Sequence, residues 1–154
     1  EDAEARFLAA KDVLTTHPLT DADDTAAIGY CFGGGVVLHM ARVGTDLDGV
    51  VSFHGSLSPK VEAKEDMVEA DVLVLNGEDD SFVSADAIAA FKAEMEAADV
   101  DYEFVNYPGA VHGFTNPEAT AKGEEFDIPL AYNEEADKKS WEAMKEFFTE
   151  IFED

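Results

Sequence analysis

The stretch "AAIGYCFGGGVVLHMA", residues 26–41, decides the fold. Small and apolar residues lead into Gly29-Tyr30-Cys31-Phe32-Gly33, and an apolar segment follows. The spacing predicts a short buried strand over 25–31, a tight turn, then a helix ending near Gly44. Cys31, the only cysteine, stands at the tip of that turn. Gly29 and Gly33 flank it as G-x-nucleophile-x-G, where flanking side chains would crowd a strained strand-to-helix turn. A helix N-terminus behind the turn favours a thiolate and offers N–H groups to an oxyanion. Two other readings of the turn stay open: a buried structural cysteine, and a glycine-rich phosphate cradle.

Working outward, "DGVVSFHG" (48–55) predicts a second strand, Asp71–Asn76 a third and "DYEFVNYPG" (101–109) a fourth. Helices are expected over 2–15, 84–100 and 133–152. The first carries Ala3, Phe7, Leu8, Ala10 and Leu14 at helical spacing. The second carries Ile88, Phe91, Met95 and Ala98 on one face. The last is expected to bury Trp141, Met144, Phe148 and Phe152. Apolar strands alternating with amphipathic helices predict an α/β domain with a mainly parallel sheet. The 154 residues show no internal repeat and no linker, so one domain over 1–154 is expected.

Ligands of such sheets bind beyond the carboxyl ends of the strands, so the residues after each strand matter most. Asp80 follows the third strand in "NGEDDSFVS", with Asp79 as its competitor, and His112 follows the fourth in "YPGAVHGFTNP". His54 follows the second strand and faces the same end, while His17 and His39 read as structural. Cys31, Asp80 and His112 therefore occur in nucleophile–acid–histidine order, each after a different predicted parallel strand. That is the chain order of an α/β-hydrolase triad.

The charge is −25, from 35 acidic and 10 basic side chains. Adaptation to high salt is its best single explanation, because dense carboxylates hold water and salt screens their repulsion. Nucleic acid is not an expected partner, since phosphate contacts need Lys and Arg. No apolar run approaches the ~20 residues of a membrane helix. A single cysteine makes no intrachain disulfide, which points to the cytoplasm. No metal or organic cofactor is expected, because the histidines are scattered and Cys31 has no partner at metal-ligand spacing.

"IGYCFGGG", "VVSFHG", "LNGEDDSFV", "YPGAVHGFTNP" and "LAYNEEADKKSWEAMKEFF" together resemble successive blocks of the dienelactone hydrolase family, the cysteine-using branch of the α/β-hydrolases. The resemblance implies Cys31 as nucleophile, His112 as general base and acid, and Asp80 as the residue that orients His112. Phe32 N–H is the expected oxyanion donor, and Tyr30, His54, Phe82 and Phe114 are expected to line the substrate pocket. A small ester or lactone is the expected substrate. The namesake's carboxylated lactone is not, because "VHGFTNPEA" places no basic residue beside His112.

The family carries several strands before its nucleophile strand, whereas one predicted helix precedes it here. The chain is therefore expected to be the C-terminal portion, with a second oxyanion donor outside it. Losing one such donor costs about 100- to 1,000-fold in rate, so weak activity is expected. The nucleophile strand is expected to have an open edge that recruits a second copy or a complementary N-terminal segment. A non-catalytic α/β domain, either a binding module or an inactive remnant, is the rival reading.

Overall fold

The computed structural model describes residues 2–153. In chain order the elements are α1 (Asp2–Thr15), β1 (Ala26–Tyr30), α2 (Phe32–Arg42), β2 (Gly49–Phe53), β3 (Asp71–Gly77), α3 (Ala85–Ala97), β4 (Tyr102–Tyr107), α4 (Ala119–Phe126) and α5 (Glu134–Phe152). The four strands are all parallel, in the order β1-β2-β3-β4. Cys31, His54, Asp80 and His112 all follow carboxyl ends of strands, so the topology gathers them at one end of the sheet.

Strand alternation divides the core into two layers. Val50, Val72 and Val74 face one side, where they meet Val37 and Leu38 of α2 and Phe91 and Met95 of α3. Val51, Phe53, Leu73 and Leu75 face the other, against Met144 and Phe147 of α5. Both faces of β2 and β3 are covered, which is why β3 reads as an unbroken apolar run over 72–75 and β2 as one interrupted by Ser52 alone.

One buried polar link crosses the first layer. Arg42, 2% exposed, donates from Nε to Glu94 Oε1 at 2.7 Å and from Nη2 to Glu94 Oε2 at 2.8 Å. Nη2 also donates to Leu57 O at 3.1 Å, and the guanidinium lies over the Phe91 ring. The bidentate geometry and the extra acceptor offset the cost of burying the charge.

Four expectations are corrected. β1 is a half-exposed edge strand, with Ile28 and Tyr30 open on one face, because α5 packs mainly on β2 and β3. α1 buries none of its residues; Phe7 touches the core, while Leu8 and Leu14 stay exposed. The buried stripe of α5 is Ala136, Ser140, Met144 and Phe147. Trp141 and Phe152 are exposed and Phe148 is only partly covered, because the helix is rotated about its axis relative to the expected stripe. Finally, α4 was not expected at all. Its mid-helix Gly123 weakens the pattern, yet a Cβ there would overlap Leu130 O, so the glycine lets the 128–130 segment lie against the helix.

Candidate active site

The turn after β1 is built as its glycines suggest, with one change. Cys31 has φ 53 and ψ −116, a strained position at the start of α2. A Cβ on Gly29 would overlap the Gly33 carbonyl, and one on Gly34 would sit 2.6 Å from Ser52 Oγ and 2.9 Å from Gly55 Cα. Gly33 was expected to clear space as well. A Cβ there meets nothing within 4 Å, because the position faces outward. Gly34 is the second obligatory glycine, and it lets α2 sit against the end of β2. Phe32 is the first residue of α2, where a backbone N–H has no acceptor within the helix.

The other two chain segments converge on Cys31. His112 Nε2 lies 3.1 Å from Cys31 Sγ, and His112 Nδ1 lies 2.8 Å from Asp80 Oδ2. Asp80 is 3% exposed, and its other carboxylate oxygen accepts from Phe82 N at 2.9 Å. Asp79, the competing acid, is exposed, and its N–H donates to Ala110 O. The hydrogen bond to Asp80 is the main reason that His112 is pushed up to about 9, partly opposed by burial and reinforced by the hydrogen bond to Cys31.

A second imidazole stands beside the first. His54 has φ 39 and is buried; its Nε2 lies 2.9 Å from Thr115 Oγ1, while Nδ1 has no partner. Burial, then the neighbouring charge of His112, pushes it down to about 4. His54 therefore stays neutral at pH 7.

Two hollows flank the Cys31–His112 pair, and Cys31, His112 and Leu130 line both. One, of about 500 Å³, holds Tyr30, His54, Thr115, Asn116, Lys122 and Asp137. The other, also about 500 Å³, holds Phe32, Phe82, Val83, Gly55 and Ser56. Of the four aromatic or imidazole residues expected at the pocket, Tyr30 and His54 line the first hollow and Phe82 the second. Phe114 lines neither: it is fully buried beneath His54, ring to ring at 5.1 Å, because the turn at Gly113 (φ 73) directs it inward.

Lys122 corrects a further point, since a basic residue does line the hollow beside His112. It comes from α4, ten positions along the chain, and only that unforeseen helix delivers it. Leu130 was also missed; a lone bridge pairs it with His112, and Ala131 N donates to His112 O at 3.4 Å. Neither residue carries a sequence signal beyond being apolar or basic.

Among the described residues, no group of three or more His, Cys, Asp or Glu is placed to hold a metal ion. No helix among them is long and apolar enough to cross a membrane. An acidic hollow of about 450 Å³, lined by Asp46, Asp48, Glu69, Asp71 and Asp101, lies at the amino ends of the strands, away from Cys31.

A parallel sheet with flanking helices, carrying these loops at its carboxyl end, is the α/β-hydrolase fold. Residues 1–152 match the model of the dienelactone hydrolase family, and the chain belongs to that family. It is 34% identical over 149 residues to an uncharacterized protein of Caenorhabditis elegans, covering 96% of this chain and 92% of that one. It is 36% identical to the crystal structure of P91, a dienelactone hydrolase-like promiscuous phosphotriesterase from metagenomic libraries, with a TM-score of 0.85 over 97% of this chain. It is 39% identical to the structure named m3DLH, with a TM-score of 0.90 over 98% of this chain. The chain spans 61% and 62% of those two structures, and 48% of a Yersinia pestis relative that is 28% identical to it.

Proposed function

We propose that this chain, as a single domain over 1–154, hydrolyses a small ester or lactone through a thioester on Cys31. The observation that carries the reading is the unbroken line from Cys31 Sγ to His112 Nε2 at 3.1 Å and from His112 Nδ1 to the buried Asp80 at 2.8 Å. His112, pushed up to about 9 chiefly by Asp80, is the base that takes the Sγ proton, and Sγ is the nucleophile that attacks. Sulfur adds to the carbonyl carbon, and the carbonyl oxygen becomes an oxyanion against Phe32 N–H. The C–O bond of the leaving group then breaks, and the imidazolium gives its proton to the departing alkoxide. The neutral imidazole next takes a proton from water, whose oxygen attacks the thioester. Collapse releases the carboxylic acid and returns the negative charge to Sγ beside a protonated His112.

Asp80 keeps Nδ1 as a donor and stabilises the charged ring. His54 and Thr115 brace the loop that carries His112. This chain supplies one oxyanion donor, Phe32, and a hole with that donor alone predicts weak turnover.

The test is incubation with a small activated acetate at high salt, followed by intact-mass analysis. An acetyl adduct should form on Cys31, be absent in Cys31→Ala, and form slowly in His112→Ala. An adduct on another residue, or none, would leave the binding-domain reading ahead.

A further inference from the structure

The two hollows that meet at Cys31 differ in chemistry, and this carries a reading of the substrate that rests on the proposed thioester mechanism. The Phe82 side is apolar. Phe32 and Phe82 are 75% and 60% exposed there, and Val83 and Leu130 complete the wall. Two large aromatic side chains left open beside a nucleophile mark a surface meant to be covered. The other side presents Tyr30, Asn116, Lys122 and Asp137 around an equal volume. It offers donors and acceptors together, and one charge of each sign. Lys122 also has Glu118 within 3.7 Å, and the molecule carries a net charge of −25. An anion would meet that field, and a cation would meet Lys122. A neutral group that both donates and accepts hydrogen bonds meets neither obstacle, and a hydroxyl does both.

We infer that the substrate is an amphipathic ester whose scissile bond lies over Cys31, with an apolar half against Phe32 and Phe82 and a neutral, hydroxyl-bearing half against Asn116 and Lys122. Leu130, held by its bridge to His112, is the ridge between the two halves. Phe82, Asn116 and Lys122 are then specificity-determining residues. A well-seated apolar group changes kcat/KM by about 10- to 200-fold, which sets the scale of the expected preference.

Two isomeric probes test this: 1-glyceryl octanoate and octyl glycerate, both kept monomeric. The first is compared with methyl octanoate and glyceryl acetate, and the second with octyl acetate and methyl glycerate. At least one isomer should exceed both of its truncated counterparts by about tenfold or more in kcat/KM. Phe82→Ala should collapse the gain given by the octyl half, and Asn116→Ala with Lys122→Met the gain given by the glyceryl half. Ratios are read within one preparation of each variant, so partial misfolding does not distort them. Flat ratios in the parent chain, or variants that lower every substrate equally, overturn the inference while leaving the thioester mechanism standing. If no acetyl adduct forms on Cys31, both fall together.

Discussion

The rings of His54 and His112 meet edge to face with centroids 5.3 Å apart, and their proton affinities are driven in opposite directions. His112 is pushed up to about 9 chiefly by Asp80, and His54 down to about 4 chiefly by burial. Against an unfolded value near 6.5, each makes stability depend on pH. The raised His112 contributes stability that is full below about 6.5 and is lost as pH rises through about 9. The lowered His54 contributes stability that is full above about 6.5 and is lost as pH falls through about 4. Stability should therefore peak near pH 6–7. Denaturant midpoints across pH 4–10 check this: His54→Gln should flatten the acid limb and His112→Gln the alkaline limb.

Activity should follow the His112 limb separately. Above about pH 9 the imidazolium is gone and the departing alkoxide has no proton donor. For an alkyl ester, kcat/KM should fall through that value. For an ester with a nitrophenyl leaving group, which needs no acid, the fall should be much smaller. Identical alkaline limbs for both would remove His112 from leaving-group protonation.

Asp80→Asn keeps an acceptor for Phe82 N but loses the charge beside His112. Turnover should drop by roughly 10²–10⁴-fold, and the thermal midpoint near neutral pH should fall with it, because the stability that Asp80 lends through the charged His112 is lost. Asp79→Asn, on the exposed neighbour, should stay within about twofold of the parent. A comparison of single-turnover acylation rates for the two variants decides between the two acids.

The glycines of the turn divide sharply. Gly29→Ala and Gly34→Ala force an atom into backbone or Ser52, and each should cost about 1–3 kcal/mol. Gly33→Ala meets open space within a helix and should gain about 0.5–1 kcal/mol. Urea midpoints would show the contrast; equal losses at 33 and 34 would refute it.

Arg42→Met strands the Glu94 carboxylate, 11% exposed, without its partner. A loss of about 3–5 kcal/mol is expected. Adding Glu94→Leu should recover most of it, because both desolvated charges are then gone. Chemical denaturation of the two variants side by side measures the recovery.

What could be read from the sequence was local. The strand at 71–77 alternates its side chains between two apolar layers, and its unbroken apolar run announces burial on both faces. The turn around Cys31 and the positions of Asp80 and His112 after successive strands follow from glycine placement and chain order. Parallel topology then brings those loops to one end of the sheet with no further information. What lines the hollows followed different rules. Lys122 arrives on α4 through Gly123, a residue that weakens a helix yet lets Leu130 approach it. Phe114 and Phe82 both neighbour proposed triad residues, yet one lies beneath His54 and the other is open. Arg42 reads as a surface charge until Glu94 crosses from another helix to meet it. By itself the sequence determined the order of the strands and of every helix but α4, the parallel sheet and the candidate nucleophile, acid and histidine, because periodicity and turn chemistry act over a few neighbouring residues. Only the tertiary structure decided which glycine is obligatory, which acid is turned inward and which side chains face the nucleophile, because those depend on contacts between segments far apart in the chain.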